Sequence, residues 1–146
     1  AKITIVGLPD QPGVAARVFG PLADNHVNVD MIVQSASSAV KKTDISFSVS
    51  RRDLDKAVDV IQNIKDKLKF CSVDASPNVA KISVVGMAMR TQPGVAKTMF
   101  ETLAAKGVNL HVISTSEIKI SVLIDAEYTE LAVRSLHTAY GLDGDP

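Results

Sequence analysis

The sequence predicts an α+β chain of two tandem β-α-β-β-α-β units, the second without its own last strand. Three observations predict it. "KITIVGLPDQPGVAARVFGPLADNHVNVDMIVQS" (2–35) returns as "KISVVGMAMRTQPGVAKTMFETLAAKGVNLHVISTS" (81–116), with two extra residues before Gln92. Within each copy the apolar period switches between two and about 3.6 residues, as strands and helices require. After the second helical stretch the first copy continues into "FCSVDA" (70–75), whereas the second ends on "GLDGDP", where nothing alternates. A chain of 146 residues could hold one ordinary domain or two very small ones. The duplication decides for two, residues 1–77 and 78–146.

The elements follow in order. "KITIV" and "KISVV" are short β-branched runs expected to stop at Gly7 and Gly86. A helix comes next in each copy, with Ala15, Val18, Phe19 and Leu22, and then Ala96, Met99, Phe100 and Leu103, forming one apolar stripe. Asp10 and Thr91 stand where an N-cap belongs, and Pro12 and Pro93 fall in the first turn, where a missing N–H costs nothing. Pro21, which faces Thr102 in the other copy, is expected to kink or shorten the first helix. "VNVDMIVQ" (27–34) and "VNLHVIST" (108–115) alternate, with Val29, Met31 and Val33 on one face and Asn28, Asp30, Ile32 and Gln34 on the other. Ile45, Phe47 and Val49 match Ile120, Val122 and Ile124 in the third strand. A second helix buries Leu54, Ala57, Val58, Ile61, Ile64 and Leu68 in copy one, and Ala132, Leu136 and Ala139 in copy two. With "FCSVDA" as fourth strand, the first copy is the ferredoxin-like split unit. The second would leave a sheet edge open, to be covered by chain preceding Ala1 or by a partner subunit.

Composition narrows the function. Sixteen basic and sixteen acidic residues give a formal net charge of zero, so nothing draws the chain to nucleic acid or an anionic membrane. No apolar run approaches the roughly 20 residues of a membrane span, the first residues are those of a strand and not of a signal peptide, and the expected location is the cytoplasm. Cys71 is alone, which excludes an intrachain disulfide or a cysteine-based metal site, and it is expected to be semi-buried. His26, His111 and His137 share no chelating spacing, so surface or packing roles are expected for all three and no metal or cofactor is implied. "MRTQPGVAKT" fails as a phosphate loop, because Val95 follows the glycine and Gly86 to Gly94 is the wrong spacing. No nucleophile, carboxylate pair or metal set is evident, so no catalytic residue is assigned.

What remains is the duplicated loop, "DQPGVA" and "TQPGVA", between a strand and a helix start. There unpaired N–H groups favour an anion, and Gly13 and Gly94 let a ligand approach the backbone. A free amino acid fits: its carboxylate on the N–H groups of residues 13–15, its ammonium on Asp10 and carbonyl oxygens, its side chain near Gln34, which can donate and accept. The plainer alternative is a turn that only starts a helix.

"GLPDQPGVAARVF", "VNVDMIVQ" and above all "VISTSEIKISVLI" resemble the paired ACT domains at the C-terminal end of bacterial aspartokinase, and the resemblance covers essentially the whole chain. It implies a regulatory part that binds threonine, lysine or both and inhibits the phosphorylation of aspartate by ATP. It also implies pairing with a catalytic α subunit or domain, or a homodimer when isolated. Carried over by position, one effector site would use Asp10, Gln11, Gly13, Val14, Ala15 and Gln34 with Asn109 and Leu110 of a second-copy domain. The other would use Thr91, Gly94, Val95 and Ala96 with Asn28 and Val29. There Thr91 replaces the acidic residue and Thr115 replaces Gln34. The resemblance further implies that the second sheet is completed by a strand lying before the first domain. Two other functions fit the topology: an amino-acid sensor serving a different metabolic enzyme, and a small acyl-phosphate hydrolase.

Overall fold

A computed structural model describes residues 1–37, 41–85, 94–116 and 119–141. It divides into two compact units, Ala1–Pro77 and Asn78–Pro146.

The first unit is built from β1 (Lys2–Pro9), α1 (Val14–Asp24), β2 (Val29–Ser37), β3 (Lys42–Val49), α2 (Leu54–Asn63), the short α3 (Lys65–Leu68) and β4 (Ser72–Ser76). The sheet is antiparallel in the order β2-β3-β1-β4, which is the ferredoxin-like arrangement. Ile3, Ile5 and Leu8 of β1 and Ile45, Phe47 and Val49 of β3 meet Val14, Val18 and Leu22 of α1 and Ala57 and Ile61 of α2 in one core. Each Val, Leu, Ile or Phe among them contributes about 1.5–3 kcal/mol through removal from water. Phe19 meets Phe47 edge to face at 5.3 Å.

The second unit repeats the plan with β5 (Val79–Val85), α4 (Gly94–Ala105), β6 (Val112–Thr115), β7 (Lys119–Asp125) and α5 (Thr129–Ala139). Its described strands pair in the order β5-β7-β6, so the place that β4 fills beside β1 has no described counterpart beside β5. Ile82, Met99, Leu103, Ile120, Val122, Ile124, Ala132 and Leu136 form its core. The duplication reaches the opposite face of each sheet as well. Thr4 and Ser46 share a hydrogen bond at 2.9 Å, and their repeat partners Ser83 and Ser121 share one at 2.7 Å.

Several expectations need correction. β1 does not stop at Gly7 but bulges there and runs on to Pro9: Val6 and Gly7 together oppose Asp44, whose carboxylate accepts the Gly7 N–H at 3.0 Å. Asp10 is not an N-cap. The helix starts later, at Val14, with Gly13 as its cap residue and no side-chain cap bond, which leaves Ala15 exposed instead of in the stripe. Pro21 does not shorten α1, which continues to Asp24. One N–H is lost inside a helix held by its apolar face, and the Asn25 side chain caps the Pro21 carbonyl at 2.8 Å. The second helix of the first unit is broken at Ile64 into α2 and α3, Ala139 is exposed, and Cys71 is exposed with its N–H on the Val6 carbonyl. Gly86 lies outside the described residues.

The alternation in β2 also breaks. Val29 pairs with Val49 but Ile32 pairs with Phe47, so Asp30 and Met31 both oppose Ser48, and the Ser48 hydroxyl takes the Met31 N–H at 2.9 Å. Opposed residues share a face. Val29, Ile32 and Gln34 therefore lie on the helix side of the sheet, and Met31 and Val33 on the other, contrary to the simple period-two assignment.

Both first helices end alike. The N–H groups of Val27 and Val108 reach back to Leu22 and Leu103, with His26 (φ 62) and Gly107 (φ 72) in the left-handed position. At the far end of the second unit Tyr140 donates its phenol O–H to the Val95 carbonyl at 2.6 Å, tying the end of α5 to the first turn of α4. Burial pushes that phenol above its ordinary value of 10.0, opposed in part by a hydrogen bond from the Met99 backbone.

Three outcomes follow for urea unfolding followed by circular dichroism. Gly7→Ala should lose about 1–3 kcal/mol, because Gly7 has φ 79 and an added Cβ would lie 2.5 Å from Cys71 Sγ. His26→Gly should gain about 1 kcal/mol by relieving a left-handed non-glycine residue. Tyr140→Phe should cost about 1 kcal/mol at neutral pH. Because the folded state favours the neutral phenol, the wild-type contribution is full below pH 10.0 and is lost as pH rises through the raised folded value. The variant should therefore show a smaller alkaline loss of stability.

Candidate functional site

β1 delivers the loop 10–13 to the end of the first sheet. The bulge at Gly7 keeps Leu8 on the core side, paired with Thr43, and the Asp10 N–H bonds the Lys41 carbonyl at 3.0 Å. The Gln11 N–H then folds back on the Pro9 carbonyl at 3.0 Å, and the Val14 N–H closes a turn on the Gln11 carbonyl at 3.2 Å. Pro12 and Gly13 are the middle of that turn. Gly13, at φ 86 and ψ −2, has the angles of the third residue of a type II turn, which glycine reaches without strain. No heavy atom lies within 4 Å of where a Gly13 Cβ would stand, so the backbone is open to approach from outside.

This geometry decides which donors are available. The Val14 N–H is spent on the turn and the Val14 side chain is buried, so Val14 serves packing. The N–H groups of Gly13, Ala15 and Ala16 have no partner among the described residues and sit at the positive end of α1. Asp10, Gln11, Gly13 and Ala15 are all exposed. The loop thus offers amide donors at its helix end and an exposed carboxylate at its strand end, groups that complement the two charges of an α-amino acid.

Gln34 is exposed on β2 and pairs with Ile45, which pairs in turn with Ile5. The register places Gln34 on the helix side of the sheet, in a row near the end from which the loop departs. The bulge at Asp30 and Met31 is what puts it there. Asn28 and Val29 stand at the other end of β2, exposed and half-buried respectively, so within this unit they are not gathered with the loop.

In the second unit Asn109 is exposed, and Leu110 is half-buried against the core, just before β6. The neighbouring His111 is anchored twice: its N–H bonds the Leu123 carbonyl at 2.8 Å and its Nε2 lies 2.8 Å from Asp125 Oδ1. That pair escaped sequence reasoning, because His111 stands just before β6 and Asp125 at the end of β7, with no motif between them. Of the second loop, Thr91 lies outside the described residues. Gly94 is exposed, Val95 and Ala96 are half-buried, and the Val95 carbonyl is taken by Tyr140. No phenol is attached to the start of α1 among the described residues, so the two helix starts differ in anchoring.

Among the described residues no cluster of His, Cys, Asp or Glu can hold a metal ion, and no helix is long and apolar enough to cross a membrane. Every buried polar side-chain atom described has a hydrogen-bond partner.

A family model for the ACT domain matches residues 3–63 and 82–140. Aspartate kinase Ask_LysC of Stutzerimonas stutzeri is 48% identical over 143 residues, 98% of this chain and 34% of its own length. Aspartokinase of Mycobacterium tuberculosis is 47% identical over 146 residues, 99% of this chain and 35% of its own length. The chain thus spans about a third of the curated relatives it matches. Among solved structures, one of aspartokinase alpha and beta subunits superposes with a TM-score of 0.89 at 45% identity, covering 97% of this chain and 92% of that one. The ligand-free regulatory subunit of aspartate kinase from Thermus thermophilus follows with a TM-score of 0.87 at 36% identity, covering 95% and 91%. With the duplicated fold, both family matches and the coverage of regulatory subunits in agreement, the chain belongs to the ACT-domain family, as the paired ACT domains of an aspartokinase regulatory region.

Proposed function

We propose that the chain senses threonine, lysine or both in the cytoplasm and transmits their binding as feedback inhibition to an aspartokinase catalytic subunit or domain. The observation that carries this is the loop of the first unit: N–H groups on Gly13, Ala15 and Ala16 with no partner among the described residues, and the exposed Asp10 in the same loop. The effector carboxylate takes the amide donors, its ammonium takes Asp10, and Gln34 contacts its side chain. Gln11 borders the site, and Val14 sets the turn. Asn109 and Leu110, which belong to the second-copy unit, complete the set. The second loop, with Thr91, Gly94, Val95 and Ala96 together with Asn28 and Val29, is the poorer site, for it offers no acidic residue to an ammonium and its helix start is pinned by Tyr140. The chain itself performs no phosphoryl transfer; the partner supplies the kinase chemistry, and the regulatory chain pairs with it or with its own copy.

Inhibition requires the effector to bind one domain arrangement more tightly than another, and a preference of about 1–3 kcal/mol is typical of such coupling. Calorimetry of the chain with threonine and lysine, singly and together, should give saturable heat with at least one. Asp10→Asn should weaken that binding about tenfold to hundredfold, the worth of one charge-assisted hydrogen bond. Absence of heat with both amino acids refutes the sensor assignment. Turnover of acetyl phosphate by the isolated chain would point instead to the hydrolase of the same topology.

A further inference from the structure

We infer that the first unit also carries a groove for a phosphate-bearing small molecule, adjoining the proposed amino-acid site and selecting the opposite charge. Two adjoining cavities of about 200 and 370 Å³ share Arg17, Lys67 and Leu68. Gln11, Val14 and Lys69 also line the first, and Pro21 and Ile64 the second. They run between α1 and the segment around α3, where the left-handed Lys69 (φ 53) turns the chain toward Phe70. The lining divides by chemistry. Val14, Leu68, Ile64 and Pro21 are apolar, the charges are all positive, and no carboxylate lines either cavity.

Arg17, Lys67 and Lys69 have no ion pair and no side-chain hydrogen bond among the described residues. Three like charges around one concavity repel one another, and a bound anion relieves that repulsion. One carboxylate would neutralise a single charge of the three. A phosphate monoester carries about −1.5 to −2 at neutral pH, and a diphosphate carries more. The Arg17 guanidinium can grip two phosphate oxygens at once, while the two ammonium groups act as point charges. The apolar lining suits the body of the ligand, and the volume lies at the lower end of small-molecule sites. An effector ammonium would be repelled here, so this groove and the Asp10 loop select opposite charges. Gln11 and Val14 border both.

Titration of the isotope-labelled chain with pyrophosphate at constant ionic strength, followed by amide NMR, tests the assignment, with malonate and sodium chloride as separate arms. Saturable shifts are expected at Gln11, Arg17 and Lys67 through Lys69. The Arg17→Gln/Lys67→Gln variant, both positions being exposed, should keep a dispersed spectrum and raise the pyrophosphate dissociation constant at least about tenfold. Threonine or lysine heat should persist in that variant, which separates failure of this groove from failure of the effector site. No saturable shift with pyrophosphate, shifts confined to other residues, or binding unchanged in the variant would overturn the proposal. Malonate binding as tightly as pyrophosphate would overturn the choice of phosphate.

Discussion

The antiparallel pairing of β1 with β3 is the constraint on which the first unit rests. It joins residues 2–9 to residues 42–49, and every other element is placed from that ladder: β4 on the free side of β1, β2 on the free side of β3, and α1 and α2 over the face that carries Ile3, Ile5, Ile45 and Phe47. Such contacts are distant in sequence, so their loop-closure cost is repaid only when both helices close on the sheet. The loop that follows β1 inherits its position from the same ladder. Its first amide is bonded to Lys41, beside the start of β3, so the candidate site is an extension of the sheet and not an appendage to it.

Much of this was legible in the residues because the duplication supplied an internal control. "KITIV" beside "KISVV" and "DISFSV" beside "KISVLI" fixed the strands twice over, and the apolar stripe of the second unit holds at Met99 and Leu103. Bulges were not legible. A period-two pattern is consistent with a regular strand, and the extra residue at Met31 or Gly7 is accommodated by partners far along the chain, Ser48 and Asp44, which no local signal announces. The helix start failed for a related reason. Asp10 has the composition of a cap, yet the Pro12-Gly13 pair builds a turn first and moves the helix start to Val14. The candidate residues of "DQPGVA" are therefore readable in the sequence as a group, while which of their amides are spent on the turn comes from geometry.

Duplication followed by divergence explains the contrast between the units. Both keep the hydroxyl pair on the sheet face away from the helices and the same backbone reversal after the first helix, achieved with His26 in one and Gly107 in the other. Where they part is at the ends of elements. Asp125 holds His111, whereas the corresponding pair in the first unit is Asp30 and Ser50, and Tyr140 ties two helix ends together in the second unit. Such ties restrict local opening, so the start of α4 is held by a side chain of its own unit.

The bulge in β2 works as a phase shifter. Before it the strand commits Val29 to the core; after it the same side of the sheet receives Ile32, half exposed at 51%, and then Gln34. Without the bulge, the same residues in strict alternation from Val29 would carry Gln34 to the opposite face and bring Val33 to the helix side. The chemical character of the helix side at this edge is thus written in the count of residues between two strand pairs as much as in their identity. Loss of Asp30 or Met31 would regularise the strand and leave Gln34 opposite Ile45, whereas loss of a residue between Met31 and Gln34 would turn Gln34 to the other face.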